Sequence, residues 1–439
     1  MFDYILAAAI GSISAVLANK NIAVYNDGFR PVYAEYLNGR MDRKSLAATS
    51  FAVSFGLIVG FGFTNSIAMG IIIIHTFLLM GDIIGTWCPD NNKGTVLSAI
   101  IGAVWGIAVV VFMSSIQGIF TNLPVDFLPH LGSVADIVVA TFSIFPSLAV
   151  GYQHGLKKGI FTAAITIAVY LLISRFGAFT FGNFTLKLNA DGMAMLAGTI
   201  VMIIMAIRTK KEAIGADLTN IFSDNVKRIK KNWIIFAIMG GLLAVAASHC
   251  LLTTDVISGP LALKGEFSQA SLVALVRAIG YIPLVYTTAI VTGVFSPAGS
   301  YFCIAFGLFV SSFGLSPMLT YILSFISGAF IITGETFLLG KIGSMLDKFP
   351  ALRELGDHIR NAMSQILEVA LLVGGFTASA AIMGEIGLGY VGSMCVMIVW
   401  MLNKSAKKPF LIPLAVGPVV TISMGILVNI LKLIGFSLV

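Results

Sequence analysis

One arginine lies where a membrane-spanning helix should contain only apolar side chains. The stretch LVALVRAIGYIPLVYTT is apolar enough to cross a bilayer, yet it carries Arg277 near its middle and Pro283 six residues later. A guanidinium at membrane depth is costly unless it is paired or faces water. We therefore expect Arg277 to bind an anionic group of a substrate, with a structural ion pair inside the helix bundle as the alternative.

Hydroxyl groups and helix breakers follow this arginine. The segment TTAIVTGVFSPAGS has polar or small residues where a smooth span would have leucine. These candidate binding residues are Thr287, Thr288, Thr292 and Gly293. Because proline disrupts a helix and the freed backbone groups need protein or water as partners, the pattern predicts a helix that breaks after Pro283 and lines a polar cavity.

A second stretch of glycine and polar residues within an apolar region, GLIVGFGFTNS over residues 56–66, adds Thr64 and Asn65 to the candidate binding residues. No charged loop separates it from the apolar run that follows. Two structures fit this pattern: a helical hairpin that dips into the membrane, and a tight turn outside it.

Acidic residues in or beside apolar runs are candidates for ion coupling or gating. They are Glu335, Glu368 and Asp136. For the two glutamates, pairing with a nearby lysine or arginine is the structural alternative. His75 and His249 are candidate proton relays, because histidine titrates near neutral pH, or else hydrogen-bonded packing residues.

The elements that must position these residues are membrane helices. The chain has 439 residues, of which 58% are hydrophobic and 11% charged, and its mean hydropathy is +0.97. Soluble domains contain roughly one quarter charged residues, and apolar runs of about 20 residues suit a hydrocarbon core roughly 30 Å thick. We predict an all-α polytopic membrane protein. The four cysteines show no C-x-x-C spacing, so no metal or cofactor is expected.

Fourteen apolar runs are candidate spans, and re-entrant hairpins among them would leave ten to fourteen full crossings. The runs are 2–24, 46–64, 66–88, 94–120, 134–152, 159–177, 192–208, 232–252, 269–290, 298–315, 317–340, 363–384, 385–402 and 410–434. The first run lacks a basic start and a cleavage site, so it is expected to be retained as a span.

Basic residues collect in alternate connections between these runs. They are Lys20, Arg30, Arg40, Arg43, Lys44, Lys93, Lys157, Lys158, the cluster from Arg208 to Lys231, Lys341, Lys348, Arg353, Arg360, Lys404, Lys407 and Lys408. The opposite loops contain little beyond Lys187 and Lys264. By the positive-inside rule, this partition predicts that both termini lie outside the cell.

A polar connection divides the chain into two halves of seven runs each. Residues 1–207 form the first predicted membrane repeat, 208–231 a basic cytoplasmic linker and 232–439 the second repeat. With an odd number of spans per half, the second half enters the membrane from the opposite side. This is the layout of inverted-topology repeats, on which many alternating-access transporters are built.

Several stretches along the whole chain resemble the YhfT family of bacterial integral membrane proteins. They are AVYNDGFRPV (23–32), LPVD (123–126), RAIGYIPL (277–284), TTAIVTGV (287–294) and DHIRNAMSQILEVALLVG (357–374). The resemblance implies a transport protein of the bacterial inner membrane whose substrate is not established, so no functional residue carries over. It draws attention to the polar residues Asp27, Arg30, Arg360, Asn361 and Glu368, of which Asn361 joins the candidate binding residues.

A weaker similarity concerns residues 40–64, RMDRKSLAATSFAVSFGLIVGFGFT. Their basic loop followed by a glycine-rich helix looks like the membrane subunits of galactitol- and ascorbate-type sugar phosphotransferase systems. That similarity implies an elevator-type mechanism, a homodimer and, for phosphorylation, a separate soluble phosphocarrier.

We therefore predict a transporter that moves a small polar or anionic solute across the lipid bilayer by an elevator-like motion, without a nucleic-acid partner. The alternative is a membrane subunit of a sugar phosphotransferase system. An intramembrane enzyme is less well supported, because the sequence contains neither H-E-x-x-H nor G-x-S-x-G.

Overall fold

The computed structural model describes residues 1–26, 29–37, 39–181, 184–188, 190–209, 217–292, 294–295, 299–348, 350–409, 411, 413–436 and 438. The elements of the first half are α1 (Phe2–Asn19), α2 (Arg30–Leu37), α3 (Arg43–Leu57), a π-helical segment (Ile58–Phe63), α4 (Thr64–Met69), β1 (Ile72–Ile73), α5 (His75–Trp87), α6 (Asn92–Thr121), α7 (Leu128–Phe142), α8 (Phe145–His154), α9 (Leu156–Phe176), β2 (Ala178–Phe181), β3 (Phe184–Lys187) and α10 (Ala190–Arg208).

The predicted polar linker contains a helix, α11 (Asp217–Lys230). The second half consists of α12 (Trp233–Ser248), β4 (Leu252–Thr253), α13 (Ser258–Leu263), α14 (Phe267–Thr292), α15 (Gly299–Ser311), α16 (Pro317–Lys348), α17 (Pro350–Gly384), α18 (Gly389–Ser405) and α19 (Pro413–Leu433).

The predicted helical membrane fold is confirmed. Within the described residues, eight helices are long and apolar enough to cross a membrane, or nine if α11 and α12, which meet at a bend of 58°, count as one broken span. The predicted ten to fourteen crossings therefore require further helices, such as the 13-residue α5 and α15, to enter the bilayer as well.

The helices pack in two groups. In the first, α1 packs with α5 and α6, and α12 packs with α15 and α16. In the second, α17 packs against α7, α8, α18 and α19, while α9 packs against α8 and α10. The π-helical segment contacts both α5 and α19, and α14 contacts α15, α17 and α10. These two elements therefore lie between the groups.

Glycines bring the helices of the first group into backbone contact. A Cβ atom built on Gly11 of α1 would lie 2.2 Å from the carbonyl oxygen of Gly102 on α6. A Cβ atom on Gly240 of α12 would lie 2.6 Å from the carbonyl oxygen of Gly328 on α16. Lipid tails do not drive apolar helices together, so such close packing supplies much of the attraction between membrane helices.

Polar side chains close the carboxyl end of α5 and attach the linker helix there. Asn19 Nδ2 and Arg43 Nη2 both donate to the carbonyl oxygen of Gly85, at 3.0 and 2.7 Å. Arg228 Nη2 on α11 donates to the carbonyl oxygen of Asn21 at 2.6 Å. The end of α1, the start of α3, the end of α5 and α11 thus meet at one end of the bundle.

A different cluster joins α1, α12 and α16 at the opposite end of α1. His249 Nε2 lies 2.7 Å from Asp3 Oδ1, and its Nδ1 lies 2.5 Å from the hydroxyl of Tyr321. The start of α1 therefore lies beside the end of α12, so these two helices run antiparallel. Both ring nitrogens of His249 are engaged, as expected for a packing residue.

Gly102→Ala should destabilise the protein by about 1–3 kcal/mol, because the new methyl group forces α1 and α6 apart. The matched control is Gly118→Ala on the same helix, where nothing lies within 4 Å of a built Cβ atom. That control should be neutral or more stable by up to about 1 kcal/mol, from helix propensity. Unfolding of both purified variants in detergent measures the difference, and equal stabilities would contradict the packing described.

Candidate functional site

Two short helices, α5 and α15, begin at interruptions of the helical backbone. Each has 13 residues, a length of about 20 Å that falls short of a hydrocarbon core roughly 30 Å thick. Before α5, β1 pairs in parallel with β4 of the other half, Ile72 with Leu252 and Ile73 with Thr253. Before α15, Phe295 forms a parallel bridge with Ala23, again across the halves.

Side chains from the amino ends of α5 and α15 contact each other. His75, the first residue of α5, has Nε2 3.4 Å from the hydroxyl of Tyr301, the third residue of α15. The ring of Phe61, from the π-helical segment, meets the His75 ring edge-on at 5.1 Å. We call the place where His75 of α5 contacts Tyr301 of α15 the crossing. Helix amino ends present unpaired N–H groups and a partial positive charge, so the crossing is suited to polar or anionic groups.

Glu335 reaches the crossing from α16. The residue is 5% exposed, and a Cβ atom built on Gly299, the first residue of α15, would lie 2.1 Å from its Oε2. A carboxylate is stabilised at a helix amino end. A larger residue at this position would displace the carboxylate from this place, and the structure brings this predicted coupling residue to the crossing.

Arg277 lies in the interior of α14, roughly 15 Å along the helix from Phe267 at 1.5 Å per residue. It is 8% exposed. Among the described residues, none accepts a hydrogen bond from its Nε, and none forms an ion pair with its guanidinium. The structural ion pair that the sequence left open is therefore absent from the described part of the chain.

The predicted helix break after Pro283 is wrong. The α14 helix continues past this proline and ends at Thr292, and the interruption lies between Thr292 and Gly299. Proline removes one backbone hydrogen-bond donor, but the other hydrogen bonds of the helix can remain. Membrane helices tolerate proline when neighbouring groups bond to the backbone group that it leaves unpaired.

Both expectations for residues 56–66 are also wrong, because the helix neither folds back nor turns there. The chain stays helical from Arg43 to Met69 and passes through the π-helical segment. Thr64 and Asn65 follow that segment and are 0% exposed. Thr64 Oγ1 donates to the carbonyl of Val59 at 3.0 Å, so its hydroxyl serves the helix itself.

Other predicted residues form no described hydrogen bond with the crossing or lie outside the described residues. Asn361 is exposed and Glu368 half-buried, both on α17, and in the described part of the chain no hydrogen bond joins either of them to α5 or α15. Outside the described residues lie Asp27 and Gly293 and the side chains of Arg30, Asp136, Thr287, Thr288, Thr292 and Arg360.

Asp82 is a buried acid with a structural role. It is 0% exposed and accepts backbone hydrogen bonds from Tyr25, at 3.1 and 3.0 Å, and from Asn26, at 2.8 Å. These bonds hold the segment that carries Ala23 to its bridge with Phe295. The acid thus positions one side of the crossing.

Sequence reasoning did not place His75, Phe61 or Tyr301 at the crossing, and it named His75 only as a candidate proton relay. His75 follows the run IIII, which contains no helix breaker. The cross-half pairing of β1 with β4 has no local signal in such a run. For Tyr301 the preceding proline and glycine at 297 and 299 were a usable sign of a helix start.

Comparison with known proteins places the whole chain in one family. The YhfT family, described as a protein of unknown function, matches residues 3–437. The chain belongs to the YhfT family. A YhfT-family relative, the uncharacterized protein YhfT of Escherichia coli (strain K12), is 29% identical over 449 residues, which cover 98% of this chain and 97% of that protein. No solved structure matches the chain.

Gly299→Ala should destabilise the protein by about 1 kcal/mol, the lower end of the cost of overpacking, because the methyl group displaces the end of the flexible Glu335 side chain from the start of α15. Gly334→Ala, next to Glu335 on α16, is the matched control, since nothing lies within 4 Å of a Cβ atom built there. Chemical unfolding in detergent compares them. An unchanged stability of Gly299→Ala would show that the carboxylate does not lie against that glycine.

Proposed function

We propose that this YhfT-family protein is a transporter that moves a small polar or anionic solute by alternating access, with its substrate site at the crossing of α5 and α15. The crossing itself is the observation that carries the proposal. Broken helices whose amino ends meet inside a membrane bundle are the recurrent substrate site of transporters with inverted repeats.

Matched contacts in the two halves support an inverted repeat of residues 1–207 and 232–439. In the first half, a Cβ atom on Gly85 of α5 would lie 2.5 Å from the carbonyl oxygen of Ala15 on α1. In the second, a Cβ atom on Gly307 of α15 would lie 2.2 Å from the carbonyl oxygen of Ala244 on α12. The Gly11–Gly102 contact matches Gly240–Gly328 in the same order along the chain.

The strand pairings also relate the two halves to each other in a matched way. The segment after α1 pairs with the segment before α15, and the segment after α12 pairs with the segment before α5. The residues Asn21 and Cys250, which follow α1 and α12, both have positive φ angles, 58° and 55°. Because α1 and α12 run antiparallel, these correspondences fit two repeats of opposite orientation.

An elevator-like motion would move the first helix group against the second. The π-helical segment lies between them: a Cβ atom on Gly60 would be 2.6 Å from the carbonyl oxygen of Leu414 on α19, and one on Gly62 would be 2.8 Å from Thr76 Cγ2 on α5. Small residues at such an interface allow helices to slide past each other in close contact.

The buried charges suit an anionic substrate and a coupling ion. Arg277 is a buried cation without a described partner, and the amino ends of α5 and α15 add partial positive charge. Glu335 at the crossing is the leading coupling residue, with Glu368 and Asp136 as further candidates. We also propose a homodimer in the inner membrane with both termini outside.

Uptake by reconstituted protein tests the site. In vesicles screened with sugar acids and other small carboxylates, Arg277→Ala should lower uptake roughly tenfold to a hundredfold, because one charged hydrogen-bond donor is lost. Arg175→Ala on α9, an exposed arginine, is the control and should transport normally. Uptake unchanged by Arg277→Ala would refute this assignment. Uptake that requires a phosphoryl donor and yields phosphorylated product would favour the phosphotransferase alternative.

Labelling from one side of the membrane tests the orientation. In a variant without its four cysteines, Lys264→Cys should react with a membrane-impermeant maleimide added to intact cells, whereas Lys93→Cys and Lys231→Cys should react only after permeabilisation. All three positions are exposed. The expectation follows from the positive-inside rule. Labelling of Lys93→Cys in intact cells would reverse the proposed orientation.

A further inference from the structure

The junction of α11 and α12 lies at a surface of the membrane. The two helices meet at a bend of 58°, and the apolar helix α12 begins with Trp233. The ring of Trp233 lies 6.5 Å from the ring of Phe337 on α16, measured between centroids. The apolar span of α16 ends at Leu339, two residues beyond Phe337, and the exposed Lys341 follows it. Aromatic residues at the ends of apolar helices are enriched at the level of the lipid headgroups, so this pair of rings marks that level.

The helix α11 is held against the bundle beside this junction. Val226 and Ile229 are 6% and 1% exposed, and α11 packs against α14 and α16. Arg228 donates to the carbonyl oxygen of Asn21, so its guanidinium serves the contact with the end of α1. Because these contacts fix α11 to the bundle, they also fix the lysines at its carboxyl end.

Two lysines carry positive charge to the pair of rings. Lys230 Nζ lies 5.7 Å from the centroid of the Phe337 ring, and Lys231, the residue after α11, is exposed. Among the described residues, neither lysine forms an ion pair, whereas Lys227 one turn earlier pairs with Asp224 at 3.1 Å. The charge of Lys230 and Lys231 is therefore available to an anionic group at the membrane surface.

A phospholipid with an anionic headgroup matches this surface in charge and in position. Lysines at the membrane surface attract anionic lipids, and the lysine stem can lie along apolar surface while the ammonium group reaches the headgroups. The rings of Trp233 and Phe337 are 41% and 52% exposed, so acyl chains can cover them. A soluble anion would pair with the lysines but would leave both rings uncovered. An acidic protein would have to enter the headgroup layer to reach Lys230.

We propose that Lys230 and Lys231 bind the headgroup of an anionic phospholipid whose acyl chains pack against Trp233 and Phe337. The bound lipid attaches the linker between the two halves of the chain to the membrane surface. This lipid site is separate from the crossing and does not depend on the transport proposal.

Lipid binding to the purified full-length protein tests the proposal. Phosphatidylglycerol and phosphatidylcholine with the same acyl chains are titrated separately into the protein in a neutral detergent, and native mass spectrometry counts the bound lipid. Wild-type protein should bind phosphatidylglycerol more tightly. Lys230→Gln/Lys231→Gln should weaken the tightest binding of phosphatidylglycerol roughly tenfold to thirtyfold, because the attraction of two lysines to the headgroup is lost. Its binding of phosphatidylcholine should be unchanged, which also shows that this variant is folded.

Two further double variants serve as controls. Lys157→Gln/Lys158→Gln removes the same charge from an exposed lysine pair at the start of α9 and should bind phosphatidylglycerol as the wild type does. Lys230→Arg/Lys231→Arg keeps the charge beside the rings and should also bind it as the wild type does. A loss confined to Lys230→Gln/Lys231→Gln supports the lipid site.

Four results would overturn the proposal. The first is equal binding of the two lipids by the wild-type protein, and the second is unchanged binding of phosphatidylglycerol by Lys230→Gln/Lys231→Gln. The third is an equal loss in both glutamine variants, which would show a diffuse attraction by net charge and no site. In the fourth, glycerol phosphate or poly-glutamate displaces the bound phosphatidylglycerol at equal concentration. That displacement would assign the lysines to a soluble anion or to an acidic protein.

Discussion

The architecture depends on one constraint, that backbone polar groups at membrane depth must find partners within the protein. Within the described helices the helical ladder supplies those partners, but it is interrupted before α5 and before α15. There the two halves supply them to each other, through β1 with β4 and through Phe295 with Ala23. Neither half can complete its own interruption alone, so the crossing forms only when both halves are packed together.

Buried polar side chains of the described residues divide into two kinds. Asp82 and Ser66 serve the backbone: Asp82 holds the chain after α1, and Ser66 Oγ accepts from the amide of Ile73 at 2.8 Å. Asn65 Oδ1 and Arg277 Nε have no such task within the described residues. Burial of either kind is costly unless its polar atoms are hydrogen-bonded. The side chains bonded to the backbone explain how the interruption is tolerated. The unpaired atoms of the others are free to bind a ligand.

Much of the helical framework could be predicted from the sequence, because apolar runs of membrane length are a local signal. The candidate run 94–120 corresponds to α6, and Gly102 within it makes a close contact with α1. Gly70, which ends α4 with a positive φ of 74°, is a local sign of the interruption before α5, but the strand pairing there depends on residues of the other half and could not be predicted. The proline at 283 gave a false signal, because its local effect on the ladder does not end α14.

Arg277 and Glu335 were found from charge alone, because an ionised group in an apolar run stands out in any membrane sequence. His75 was singled out only as a candidate proton relay, and Phe61 was not, since a phenylalanine in apolar surroundings looks like an ordinary packing residue. The resemblance of the chain to the YhfT family extends over nearly all its length, but family membership identifies the framework and not the chemistry. The site is defined by contacts between distant segments.

The π-helical turn at Ile58–Phe63 has a geometric consequence. This turn contains one residue more than the same length of α-helix. Such π-bulges occur mostly as single turns inside α-helices, frequently at functional sites. One residue corresponds to about 100° of rotation in an α-helix with 3.6 residues per turn. The extra residue therefore shifts the register of the helix, so the side chains of α4 face directions about 100° away from those they would have in an uninterrupted α-helix.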